Sequence, residues 1–250
     1  MSRRATEIAS GLFILAIGSM LISVCANPTT IKFNNSAKAK YMQGDYQGAI
    51  SDYNQVLDLD PQDSSALDNR ASSKHQLSDY QGAIDDSNKS LKINPQSFIA
   101  LSNRGTSRVA LKDYQGALAD YSEAIAINPK DSAAYASRCP VKRMLKDYRG
   151  AIKDCSKAVA INPQDSVSYN NRGASNDALK KYREAIADYK KAVQINPRYG
   201  RAYSNMGVSK FYVTGDTESS CKDFKKSASL GYKYRINWLN SQEGKWCRDM

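Results

Sequence analysis

Asp45-Tyr46-Gln47-Gly48-Ala49-Ile50 returns as Asp79 to Ile84 and, with Leu for Ile, as Asp113 to Leu118. Looser copies stand at Asp147 to Ile152 and Lys181 to Ile186. Each copy begins 34 residues after the one before, and Pro61, Pro95, Pro129, Pro163 and Pro197 keep the same step. A fixed period of this length marks stacked supersecondary units rather than one globular core. Stacked units build an extended binding surface more readily than a closed catalytic pocket.

With each recurring proline taken as position 32, the units are 30–63, 64–97, 98–131, 132–165, 166–199 and 200–234. In the second half of each, apolar residues fall on one helical stripe, in the third unit Ala117, Leu118, Tyr121, Ala124, Ile125 and Ile127. Asn-Pro or Asp-Pro closes that helix, because proline disfavours helical geometry in the residue before it. The first half carries a second stripe, such as Leu101, Gly105 and Leu111. Each unit is therefore expected to be a helical hairpin that buries its stripes only against its neighbours. The last unit drifts by one residue near Gly215, and the tail 235–250, with Trp238-Leu239 just inside it, reads as a terminal cap.

These residues resemble the tetratricopeptide repeats, whose pattern has an aromatic at position 4, Gly or Ala at 8, Ala at 20, an aromatic at 24 and Pro at 32. Tyr135, Tyr169 and Tyr203 fill position 4, and Gly105, Gly173 and Gly207 fill position 8. Ala49, Ala83, Ala117, Ala151 and Ala185 fill position 20. The resemblance implies an all-α, right-handed solenoid of about six helix-turn-helix units with a C-terminal capping helix. It also implies a concave groove lined by positions 2, 5, 6, 9, 12 and 13 of the first helices, with the second helices forming the convex side.

The departures carry information. Position 7 holds Arg70, Arg104, Arg138 and Arg172, and position 23 holds Asp52, Asp86, Asp120, Asp154, Asp188 and, after the shift, Asp223. A half-buried charge is costly without a partner, so the two series predict a ladder of hydrogen-bonded ion pairs. Whether each Arg pairs within its own unit or with the preceding one stays open. Position 6 reads Asn35, Asn69, Asn103, Ser137, Asn171 and Asn205. An amide both donates and accepts, so this row resembles the asparagine ladder with which such domains hold an extended peptide by its backbone. The other reading is that the asparagines serve the repeat's own hydrogen bonding. The family's carboxylate clamp is absent: position 5 offers no Lys, and no position 6 is basic. Pro140, at position 9 of the fourth unit, is expected to kink its helix.

The chain carries a formal charge of +11, unevenly spread. Residues 27–129 hold 10 Lys/Arg against 12 Asp/Glu, whereas 130–250 hold 24 against 12. Lys153, Lys157, Arg183, Lys190, Lys191, Lys222, Lys225 and Lys226 fall on second helices, hence on the convex side. They read either as a solvated surface or as a dock for an acidic protein or an anionic membrane surface. Nucleic acid would suit the charge, but an exported chain seldom meets it, so it is not an expected partner.

Export is suggested by the N-terminus. Arg3 and Arg4 precede an uncharged apolar run, and Val24-Cys25-Ala26 offers small residues before a cleavage point. Segment 1–26 therefore reads as a signal peptide or an N-terminal membrane anchor, with a lipoprotein signal as a third reading. The repeats are placed in the periplasm or another extracytoplasmic compartment. There Cys139, Cys155, Cys221 and Cys247 admit three pairings, and the positions favour Cys139 with Cys155 and Cys221 with Cys247. Both pairs also read as buried free thiols.

His75 is the only histidine, so no triad and no His-based metal site is expected. No cofactor, metal or catalytic residue is predicted. The expected function is a noncatalytic scaffold that binds an extended peptide or a partner protein in its groove. Alternatives are an organiser docking through its basic convex face and an accessory subunit of an enzyme.

Overall fold

The computed structural model describes residues 27–215 and 217–250. The segment read as a signal or anchor lies outside the described residues. Among them, all regular structure is helical, and no helix is long and apolar enough to cross a membrane. Six antiparallel hairpins follow one another: α1 (Pro28–Met42) with α2 (Tyr46–Leu59), α3 (Ser64–Gln76) with α4 (Tyr80–Ile93), and α5 (Phe98–Ala110) with α6 (Tyr114–Ile127). Then come α7 (Ser132–Met144) with α8 (Tyr148–Ile161), α9 (Ser166–Ala178) with α10 (Tyr182–Ile195), and α11 (Gly200–Thr214) with α12 (Thr217–Ser229). Two short helices, α13 (Lys233–Asn240) and α14 (Lys245–Arg248), close the chain against α12. Each helix packs on its partner and on the next hairpin, which makes a solenoid with a continuous core.

The repeated phrase is first of all a helix cap. Asp45, Asp79, Asp113 and Asp147 are N-caps whose carboxylates accept from the amides of Gly48, Gly82, Gly116 and Gly150, each at 2.9 Å. A Cβ at those glycines would collide with the capping carboxylate. Where the cap is lost the glycine goes too: the N-cap of α10 is Lys181, which makes no side-chain cap, and Glu184 replaces Gly. One residue before each cap the chain turns through the left-handed region, at Gly44, Ser78, Lys112, Lys146 and Lys180.

Inside each hairpin, position 8 faces position 24. A Cβ at Gly105 would lie 3.1 Å from the Tyr121 ring, and one at Gly173 would lie 2.7 Å from Tyr189. The large ring thus requires the missing side chain. In the fourth unit the same two places hold Cys139 and Cys155, joined in a disulfide with Cα atoms 5.5 Å apart. A second disulfide, Cys221–Cys247, ties α12 to α14. Arg235 of α13 stacks over Phe224 at 3.8 Å and over Trp238 at 4.7 Å, and donates to Ser204.

The ion-pair ladder is present, and it works in both directions. Arg70, Arg104, Arg138 and Arg172 grip Asp86, Asp120, Asp154 and Asp188 of their own units with Nε and Nη2. Their Nη1 atoms reach back to Asn54, Asn88, Ser122 and Ser156 of the preceding unit. Position 11 adds a second cation in three of these units: Lys74 on Asp86, Arg108 on Asp120 and Lys142 on Asp154. The end units lack the Arg, and Lys40 and Lys210 alone pair with Asp52 and Asp223.

One expectation is corrected here. Leu111 does not join the apolar stripe of its unit; it is the C-cap of α5 and half exposed, because the helix ends one residue earlier. Pro140 stands inside α7, which runs from Ser132 through Met144. The adjacent Cys139–Cys155 bond holds that turn to α8.

Candidate concave groove

The first helices α1, α3, α5, α7, α9 and α11 present one face along the solenoid. Between α1 and α3, Lys38, Tyr41, Met42, Tyr53, Asn69 and Ser72 line a recess of about 320 Å³. Between α5 and α7, Thr106, Val109, Tyr121, Ser137, Pro140 and Met144 help line a second, of about 280 Å³. The two share a construction, with positions 9 and 12 of one unit meeting positions 6 and 9 of the next. Near the far end Tyr182 and the exposed Tyr212 stack at 5.0 Å, with Phe211 edge-on to Tyr212. Apolar side chains thus line an open face at intervals.

The asparagine row divides in two. Asn103 Nδ2 donates to the carbonyl of Asp68 at 2.8 Å, and Asn205 Nδ2 to Asn170 Oδ1 at 3.1 Å. These two amides join their units to the preceding ones. Asn35, Asn69 and Asn171 show no side-chain hydrogen bond to any described residue, and Asn69 lines the first recess. Ser137 lines the second.

Several polar groups on the groove helices are partly or wholly buried. Burial pushes the Asp177 carboxyl above the ordinary carboxylate range, against the hydrogen bonds it accepts from Tyr189 Oη and Ser209 Oγ, each at 2.7 Å. Burial likewise raises Asp68, which accepts from Ser97. His75 is held below its usual value by burial, and its Nδ1 meets Ser107 Oγ at 3.1 Å. No group of three or more His, Cys, Asp or Glu able to hold a metal occurs among the described residues.

Lys153, Lys157, Arg183, Lys190, Lys191, Lys222, Lys225 and Lys226 are all exposed, on α8, α10 and α12. They lie away from the groove helices. Lys222, Lys225 and Lys226 flank a shallow depression with Tyr203. Arg143 escaped the sequence analysis. It occupies position 12, where no two units agree: Tyr41, His75, Val109, Arg143, Asp177 and Phe211.

Stacked helical hairpins around an open concave face define an α-solenoid of the kind used to hold other chains. Residues 34–98 and 166–199 match tetratricopeptide repeat families, so these stretches of the solenoid are tetratricopeptide repeats. A tetratricopeptide repeat protein from Parabacteroides merdae is 26% identical, with 86% of this chain and 85% of that one covered and a TM-score of 0.64. YrrB, described as a TPR protein with an unusual peptide-binding site, is 15% identical, with 76% and 98% covered and a TM-score of 0.61. MamA is 24% identical, with 66% and 95% covered and a TM-score of 0.59. The last two share the fold. No curated protein sequence matches the chain.

Proposed function

We propose that the protein is a noncatalytic interaction scaffold that holds an extended peptide, or an extended segment of a partner protein, in its concave groove. The observation that carries this reading is the set of amides on Asn35, Asn69 and Asn171. Their side chains have no hydrogen-bond partner among the described residues, and Asn69 lines the apolar recess between α1 and α3. Amides bind a peptide backbone and the recesses accept alternate side chains, a combination that suits an extended ligand. The disulfides support a place outside the cytoplasm, in an oxidising compartment, which agrees with the N-terminal sequence.

The test is crosslinking of bound proteins to wild type and to a variant with Asn35, Asn69 and Asn171 changed together to Ala. Loss of a crosslinked partner is the expected result. Undiminished capture by the triple variant would remove the groove from the account. The exposed lysines of α10 and α12 favour a second reading, docking of the convex side on an anionic surface. Loss of capture only when Lys190, Lys191, Lys225 and Lys226 are neutralised would select it.

A further inference from the structure

Arg143 stands apart from the other arginines that face the interior of the array. Arg70, Arg104, Arg138 and Arg172 each donate at least three hydrogen bonds to protein groups, and Arg108 donates two. Arg143 is half-buried, its Nε is shut off from solvent, and no described residue accepts from it. A guanidinium N–H shut off from water without an acceptor is costly, so such a group calls for a partner from outside the fold.

The repeat supplies the geometry of the place. The recess between α1 and α3 is lined by Lys38, Tyr41 and Met42 together with Asn69 of the next unit. At the α7–α9 junction the same positions hold Pro140, Arg143, Met144 and Asn171. Asn171 also has no side-chain hydrogen bond among the described residues. Beneath them the fourth unit carries the Cys139–Cys155 disulfide where the neighbouring units on either side have a tyrosine ring at position 24. The nearby acids are engaged. Asp154 is held by Arg138 and Lys142, and Asp177 by Tyr189 and Ser209.

We propose that Arg143 and Asn171 bind a carboxylate of the groove-bound peptide, an Asp or Glu side chain next to an apolar residue. The proposal rests on the groove reading above and names its ligand. A planar guanidinium matches a carboxylate through two parallel hydrogen bonds, and the Asn171 amide adds a donor. Pro140 and Met144, on the same helix, line the apolar recess between α5 and α7 that takes the neighbouring side chain.

Random peptides displayed on phage, fused through their C-termini so that only internal acids are offered, test this directly. Wild type is expected to enrich peptides with an acid beside an apolar residue. Arg143→Glu should instead enrich Lys or Arg at that place. A synthetic copy of the winning peptide should bind roughly ten- to hundred-fold more weakly when its acid is changed to the amide, or when the protein carries Arg143→Gln. Amidating the peptide's C-terminus should change nothing; a loss there would assign the site to a terminal carboxylate and overturn the side-chain assignment. Enrichment without acids, or the same acid preference with Arg143→Glu, would overturn the inference and leave the groove reading standing. If wild type enriches nothing, the groove reading fails and this inference with it. Because no described residue accepts a hydrogen bond from Arg143, Arg143→Gln should melt as wild type does, which separates binding loss from misfolding.

Discussion

Asp120 is almost wholly buried, and two arginines meet there: Arg104 through Nε and Nη2, Arg108 through Nη1. Asp120→Asn keeps the shape and removes the charge both cations need. Stability should fall by about 3–5 kcal/mol, as when one partner of a buried pair is lost, measured by chemical denaturation. An unchanged midpoint would show that the ladder adds nothing to stability. His75 governs the response just below neutral pH, as the only histidine. Burial lowers its folded-state value, so its contribution is full above the unfolded value near 6.5 and is lost as pH falls through the folded one. Buried Asp177 and Asp68 act oppositely, because their raised values favour the protonated native state on acidification. Comparison with His75→Gln isolates the histidine: wild type should lose stability relative to the variant as pH drops below 6.5. Parallel pH profiles of the two would exclude this assignment. At this scale the sequence showed that Arg and Asp belong together, because both recur in phase. It did not show the backward reach to Asn54, Asn88, Ser122 and Ser156, since position 25 changes from Asn to Ser along the chain.

At the level of the helix, the six-residue phrase has two jobs that its regularity alone does not separate. Ala117 and Tyr121 record packing, while Asp113 and Gly116 record the start of α6. A double-mutant cycle distinguishes cap from packing. Asp113→Ala should cost about 1 kcal/mol. Gly116→Ala alone should also destabilise, because the new Cβ displaces the capping carboxylate. In the Asp113→Ala background the same Gly116→Ala change should stabilise, by up to about 1 kcal/mol, since alanine is the better helix former. Additive costs in thermal melts would mean that Gly116 is needed for some other reason. The coupled replacement at Lys181 and Glu184 is the natural version of that double variant, and it was visible in the sequence without its meaning. The asparagine row was legible as a row. Its division was not, because the acceptors for Asn103 and Asn205 come from position 5 of the unit before, the carbonyl of Asp68 and the side chain of Asn170.

At the scale of the molecule, the packing among the described helices runs within hairpins and between neighbouring ones, so stability is a chain of local terms rather than one cooperative sum. The two ends are then the weak points, and they are finished differently. At the front of the described residues, the α1–α2 hairpin has the Lys40–Asp52 pair and no arginine. At the rear, α13 and α14 cover α12, fixed by Arg235 over Phe224 and by the Cys221–Cys247 bond. That bond spans 26 residues, a separation for which loop closure is worth about 3–4 kcal/mol. In a nearest-neighbour stack this stabilisation acts where it is made. Cys247→Ser should therefore speed amide hydrogen exchange in α11 to α14 while leaving α3 to α6 at wild-type protection. The basic lysines of α12 share that end, so the variant should also loosen the convex surface they occupy. Uniform acceleration along the chain would show instead that the array unfolds as one body. The local-stack account would then have to be abandoned.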